Sequence, residues 1–270
     1  MPRQKCAILE DIYSGEKLRG LGMTDAFVIF SGGPDSTAAA MWAIQSGYNV
    51  SLLTFKYKDS GQEGELAAST AVATDLGREQ FILDITQLMA SFDPNAHIMM
   101  HAGTRSGDAT SKAGHTLPFG VGMVFSMAAN FAIYRGVHCL VWGATKDDGT
   151  DGEYQYTANF ATDYADGISR ATGTSFSIET PFAAAHKFEV LNHYFKGREP
   201  LFAKTWSCKR GGSVQSGDCA ASIARRAAAV LAGINDLTTY ANPVALPPIN
   251  KNMTEEELSR IMKSPRMPTV

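Results

Sequence analysis

The densest chemistry in the chain lies in Ser31-Gly32-Gly33-Pro34-Asp35-Ser36-Thr37. The segment follows the apolar run Ala26-Phe27-Val28-Ile29-Phe30 and leads into the helix-like stretch 37–46, TAAAMWAIQS. A strand feeding a glycine turn that opens a helix aims free backbone N–H groups, and the positive end of the helix dipole, at an anion. Glycines let the backbone approach phosphate oxygens closely. Ser31, Ser36 and Thr37 add hydroxyl donors, whereas Asp35 repels phosphate and suits a Mg²⁺ held beside it. The Gly-Lys-Ser/Thr of a Walker loop is absent, as are the three spaced glycines of the dinucleotide fingerprint. The bland alternative is an ordinary turn capped by Ser and Asp.

Other polar residues could complete such a site. Lys187 stands where a cation is disfavoured, at the start of a helix-like stretch (187–195), and could neutralise pyrophosphate. Asp147 and Asp148 could hold Mg²⁺ or orient a second substrate, although loop aspartates often only form turns. His97, His101 and His115 fall in a long segment without periodicity, where solvated histidines are the default. Tyr154, Tyr156 and Phe160 are spaced like an aromatic wall or a packing cluster.

The elements that must position these residues alternate along the chain. Strands are expected at 26–30, 50–55, 80–84 and 139–143, with a further extended stretch ending at Glu179-Thr180-Pro181-Phe182. Helices are expected at 37–46, 65–76, 117–134, 160–168, 187–195 and 223–232. Such alternation predicts an α/β fold, a doubly wound parallel sheet covered on both faces. Residues 1–24 read as an extension, 93–116 as a long functional loop, and 235–270 as a tail with one short helix, TEEELSRIMK.

Composition narrows the function classes. The chain of 270 residues is 44% hydrophobic and 19% charged, which excludes general disorder. A formal charge of −3 provides no global basic field for nucleic acid. No run is apolar enough for a membrane span and no signal-peptide core is present, so a cytoplasmic protein is expected. Four cysteines, Cys6, Cys139, Cys208 and Cys219, are too sparse for a disulfide framework.

The SGGPDS turn after an apolar strand resembles the PP-loop pyrophosphatases, which cleave ATP between its α and β phosphates. From about Phe27 to Arg226 the chain is similar to the 7-cyano-7-deazaguanine synthase family. Thr54-Phe55-Lys56-Tyr57 with Glu65, Trp142-Gly143 before Asp147, Thr180-Pro181-Phe182 with Lys187, Thr205-Trp206-Ser207-Cys208 and Arg225-Arg226 carry the likeness. The resemblance implies a PP-loop domain over 25–234, with a helical C-terminal knuckle at 205–226. It implies ATP with Mg²⁺, Phe30, Ser31, Gly32, Gly33, Asp35, Ser36, Thr37, Phe55 and Gly143 at the nucleotide, and Asp35, Lys187 and Asp147 as catalytic residues. It further implies a 7-deazaguanine-like carboxylate and ammonia as co-substrates, and a homodimer, for which the apolar helix 117–134 offers a face.

Two departures stand out. The family's four zinc cysteines correspond here to Cys208, Ser216, Cys219 and Ser222, and serine is a poor zinc ligand. A metal-free knuckle is therefore expected, the alternative being a two-cysteine site completed by His186 or His193. The family's Arg-Asn pair at a helix start is replaced by Gly120-Val121, and its Pro-Asp-Cys-Arg segment by the region of Tyr154-Gln155-Tyr156-Thr157. The expected activity is ATP-dependent adenylation of a carboxylate. The alternatives are a diverged paralogue acting on another acceptor, in a phage or defence setting, and a nucleotide-binding scaffold without catalysis.

Overall fold

The computed structural model describes residues 24–57, 62–92, 119–148, 154–210, 212–246, 248–249, 253–254 and 257. The expectations for 93–116 with its three histidines, for most of 1–24 and for most of the short helix in the tail lie outside these residues.

A parallel sheet of five strands in the order β3-β2-β1-β4-β5 organises the chain. β1 (Asp25–Ile29) pairs with β2 (Asn49–Lys56) through Val28↔Leu52 and Ile29↔Leu53, and with β4 (Cys139–Val141) through Val28↔Val141. β3 (Gln80–Asp84) closes one edge and β5 (Ser177–Glu179) the other. The central strands are continuously apolar because helices cover both faces, whereas edge strand β3 is only half-buried.

One face packs against α1 (Pro34–Gln45), α2 (Glu63–Leu76), α6 (Lys187–Phe195), the short α7 (Glu199–Lys204) and α8 (Ala220–Ala232). Its small residues matter: Ala38, Ala39, Ala40, Ala43, Ala227, Ala228 and Ala229 are fully buried, so the helices lie close to their neighbours. The other face packs against α3 (Thr86–Phe92), α4 (Gly120–Tyr134) and α5 (Ala158–Thr172), around Val124, Phe125, Ala128 and Phe160. α4 thus spends Val121, Val124, Phe125, Ala128, Ala129 and Ala132 on the chain's own core.

Several boundaries differ from expectation. α1 begins three residues earlier than 37, because Pro34 occupies a first-turn position where its missing N–H costs nothing. α5 runs over 158–172 rather than 160–168, since the Thr157 hydroxyl accepts from the Phe160 N–H and starts it earlier. α8 starts at Ala220 under a Cys219 cap, and the short helices α3 and α7 were not expected.

Candidate nucleotide-binding site

Strand order 3-2-1-4-5 places the ends of β1 and β4 side by side where the winding direction reverses, the crevice in which open α/β sheets bind ligands. The loop after β1 is Ser31-Gly32-Gly33. Gly32 adopts φ +76°, and a Cβ there would lie 2.6 Å from the Ser69 backbone, so only glycine fits. Gly33 caps α1 with no side-chain acceptor, leaving the first-turn N–H groups to an incoming anion. Ser31 and Ser36 hydroxyls sit 3.3 Å apart, and the Ser36 hydroxyl donates to the Gly33 carbonyl at 3.1 Å.

A polar chain underlies this loop. The Gln80 amide donates to Thr54 Oγ1 and to Ser69 Oγ, both at 2.9 Å, and Thr54 in turn donates to the Phe30 carbonyl at 2.7 Å. Phe30 and Phe55 direct their side chains into the cores on the two faces, so only their backbones sit near the crevice. Gly143 follows β4, and a Cβ there would meet the Asp35 carbonyl at 2.6 Å. The β4 loop therefore presses against the start of α1.

At the mouth, Lys187 Nζ lies 3.0 Å from Asp35 Oδ2. Burial pushes the Asp35 carboxyl up to about 6 from 3.8, Lys187 opposing the shift and Asp148 and Asp147 adding to it. Burial works against the Lys187 charge as well, but Asp35, Asp148 and Asp147 together hold its ammonium above the ordinary value. Asp35 Oδ1 and Thr37 Oγ1 are buried without a hydrogen-bond partner. Orphaned buried polar atoms are costly.

Asp147 lies behind Lys187 rather than at the mouth. It is buried, accepting from His186 Nδ1 at 2.8 Å and from the Lys187 N–H at 2.7 Å. Burial alone would raise its pKa, but these donors prevail and hold it below the ordinary value. An ionised carboxylate only accepts, so Nδ1 carries the hydrogen and Nε2 faces Lys146 Nζ at 3.1 Å. Asp147 is thereby a positioning group that fixes the first residue of α6. Asp148 Oδ2 accepts from the Thr145 N–H and hydroxyl, both at 2.9 Å, and shapes the turn.

The knuckle reaches the same site. The Trp206 N–H donates to the Gly32 carbonyl at 2.9 Å, and Lys209 faces Glu65 at 3.6 Å. Neither Trp206 nor Lys209 was picked out as a site residue from sequence; a cation and an aromatic flanking Cys208 were the available signal. Arg225 is fully buried and ties the knuckle down, reaching Thr205 Oγ1 and the Phe202 carbonyl at 2.6 Å, and Thr238 Oγ1 at 3.0 Å.

Cys208, Ser216, Cys219 and Ser222 do converge, but through hydrogen bonds to one another. Cys208 Sγ lies 3.3 Å from Ser216 Oγ, and Cys219 Sγ 3.1 Å from Ser222 Oγ. Two thiols and two hydroxyls do not make the donor set of a structural zinc site. His186 is engaged with Asp147 and Lys146, and among the described residues no three His, Cys, Asp or Glu side chains are grouped to hold a metal. His186 therefore does not complete a two-cysteine site.

Of the aromatic residues near the altered segment, Phe160 and Tyr156 are buried, against Phe125 and Trp142, and only Tyr154 is half exposed, bonded to Asp163. Gly120 and Val121 are buried at the start of α4.

A doubly wound parallel sheet with a glycine loop, an unpaired helix N-terminus and an Asp–Lys pair at its switch point defines a protein built to hold an anionic ligand, as nucleotide-binding α/β proteins do. Residues 25–233 match the family model of queuosine biosynthesis protein QueC, and the chain belongs to that family. It is 29% identical over 226 residues to the 7-cyano-7-deazaguanine synthase of Nautilia profundicola, covering 81% of this chain and 99% of that one. The synthase of Campylobacter jejuni is 27% identical over 223 residues, covering 80% and 97%. Among solved structures, an ammonia-dependent NAD synthetase from C. jejuni matches at 15% identity and TM-score 0.45, covering 76% of this chain and 78% of that one. Among the described residues no helix is long and apolar enough to cross a membrane.

Proposed function

We propose that the chain uses ATP to adenylate the carboxylate of a 7-deazaguanine-like acid, releasing pyrophosphate, and that ammonia then displaces AMP to give an amide and, after a second activation, the nitrile. The observation that carries this reading is the Asp35–Lys187 pair at 3.0 Å over the Ser31–Thr37 loop, beside the orphaned Asp35 Oδ1. The loop N–H groups and the Ser31, Ser36 and Thr37 hydroxyls would bind the β and γ phosphates. Lys187 would neutralise the charge that grows on pyrophosphate as the α-phosphorus bond breaks. Asp35 Oδ1 fits a Mg²⁺ ion, which when bound neutralises phosphate charge. The base would lie by the end of β2, near Leu53, Thr54 and Phe55. Family membership and the relatives' names support the acid and the nitrile as substrate and product. A homodimer is part of the proposal, read by size-exclusion chromatography with light scattering.

The test is incubation of purified protein with ATP, Mg²⁺, ammonia and 7-carboxy-7-deazaguanine, with mass spectrometry for the nitrile and a pyrophosphate assay alongside. The nitrile is expected in the presence of all four and absent when any one is withheld. A second reading, a changed acceptor, is favoured by buried Gly120 and Val121 where the family carries Arg-Asn, because losing placed polar groups changes selectivity steeply. Pyrophosphate released with other acids but not with this one would select it. Pyrophosphate released with none would select the non-catalytic scaffold.

A further inference from the structure

The knuckle carries chemistry that nucleotide binding does not use. Cys208 Sγ and Cys219 Sγ lie 3.8 Å apart, close to contact, with no atom between them. Cys208 is buried and Cys219 half-buried, so Cys219 is the more accessible of the two residues. Cys219 caps α8, where its sulfur accepts from the Ser222 N–H at 3.4 Å, and the helix N-terminus favours a negative sulfur. The same donors, with the Lys209 N–H, hold its pKa down to about 7 against the effect of burial. Among the described residues between the two cysteines there is no helix. Cys139 offers no competition: it sits in the central sheet with its thiol pushed up to about 11, chiefly by burial.

We propose that Cys208 and Cys219 form a reversible disulfide by exchange with a low-molecular-weight disulfide, so that a covalent redox link takes the place of a metal across the knuckle. The Cys219 thiolate attacks one sulfur of the incoming disulfide and expels the first small thiolate, which takes a proton from water. The Cys208 thiolate, its proton lost to solvent, then attacks the Cys219 sulfur and expels the second. The two protein thiols are oxidised by two electrons, and the small disulfide is reduced to two thiols. The link lies next to the nucleotide site, because Trp206 bonds the Gly32 carbonyl and Lys209 faces Glu65.

Trypsin cuts after Lys204, Lys209, Arg210 and Arg225, so residues 205–209 and 211–225 leave as separate peptides, each with one cysteine. The full chain is equilibrated in a chelating buffer with glutathione and oxidised glutathione at graded ratios, alkylated, digested without reductant and mapped by mass spectrometry. The expected result is one linked pair, 205–209 with 211–225, that dithiothreitol separates, while Cys6 and Cys139 stay alkylated. Cys208→Ala is expected to retain glutathione on Cys219, and Cys219→Ala to leave Cys208 unmodified. Glutathione retained on Cys219 of the unaltered chain overturns the proposal. So does a link to Cys6 or to a second chain, or full alkylation at ratios that oxidise ordinary protein dithiols. The unaltered chain carries the decision if either variant fails to fold.

Discussion

The Asp35 carboxyl is held at about 6, against 3.8 when free, so the folded chain binds an extra proton between those values. Stability must therefore fall as pH rises through that window. Lys187 stays protonated throughout it, so its attraction is already included in the shift. A displacement of roughly two units corresponds to about 3 kcal/mol at neutral pH and above, the free energy by which an ionised Asp35 weakens the fold. Asp35→Asn mimics the protonated carboxyl at nearly the same volume and removes that penalty. Its advantage over the unaltered chain is about 2 kcal/mol at pH 5 and approaches about 3 kcal/mol at pH 8, a growth of about 1 kcal/mol.

The assay is urea unfolding of both proteins at pH 5, 6, 7 and 8 without nucleotide, with pyrophosphate release measured separately. Asp35→Asn is expected to be the more stable protein, increasingly so with pH, and to lose at least about 100-fold in pyrophosphate release. Greater stability with lost activity is what a carboxylate kept charged for function requires. A stability difference that does not change between pH 5 and 8, or a variant less stable at pH 8, would refute the reasoning. Either result would mean that the 3.0 Å ion pair outweighs the desolvation of the carboxylate.

Asp147→Asn has the opposite sign: the native carboxylate is stabilised by His186 and the Lys187 N–H, a contribution present above its unfolded pKa and lost as pH falls, so the variant should lose about 2 kcal/mol or more at pH 7 and approach the unaltered chain in acid. Urea midpoints at the two pH values read this directly. Gly32→Ala meets both a φ of +76° and the Ser69 backbone at 2.6 Å; a loss of roughly 2 kcal/mol or more is expected in urea, with loss of ATP binding by calorimetry. Arg225→Ala removes four hydrogen bonds, to Thr205 Oγ1, the Phe202 carbonyl, Thr238 Oγ1 and the Tyr240 hydroxyl, and empties a fully buried site; about 3 kcal/mol is expected, and Arg225→Lys should recover little, because one ammonium cannot reproduce the fork.

The sheet was legible because its central strands are short apolar runs at regular spacing, and α6 was read to its ends, 187–195, because its apolar residues recur at helical period. Where elements were missed, the signal was physically weak. α3 (TQLMASF) and α7 (EPLFAK) are too short to present a repeated apolar face, and they form because the core supplies Met89 and Phe202 with partners. The start of α8 was hidden because Cys219 is not a usual capping residue.

The site divides in the same way. The strand–glycine turn–helix of Ser31 to Thr37 was legible since its residues are contiguous. What surrounds it depends on strand order, which alternation of strands and helices does not specify. Only when β4 is placed beside β1 does Gly143 meet Asp35, and only when α6 packs over that junction does Lys187 reach Asp35. His186 or His193 was the alternative for completing a two-cysteine metal site, yet a buried carboxylate is the stronger claimant on the His186 imidazole, and Asp147 has it at 2.8 Å. Asp35 and Asp147 were indistinguishable as acidic residues in a string. Their pKa values move apart because burial dominates at Asp35, one of whose oxygens has no partner, while at Asp147 two short hydrogen bonds outweigh burial.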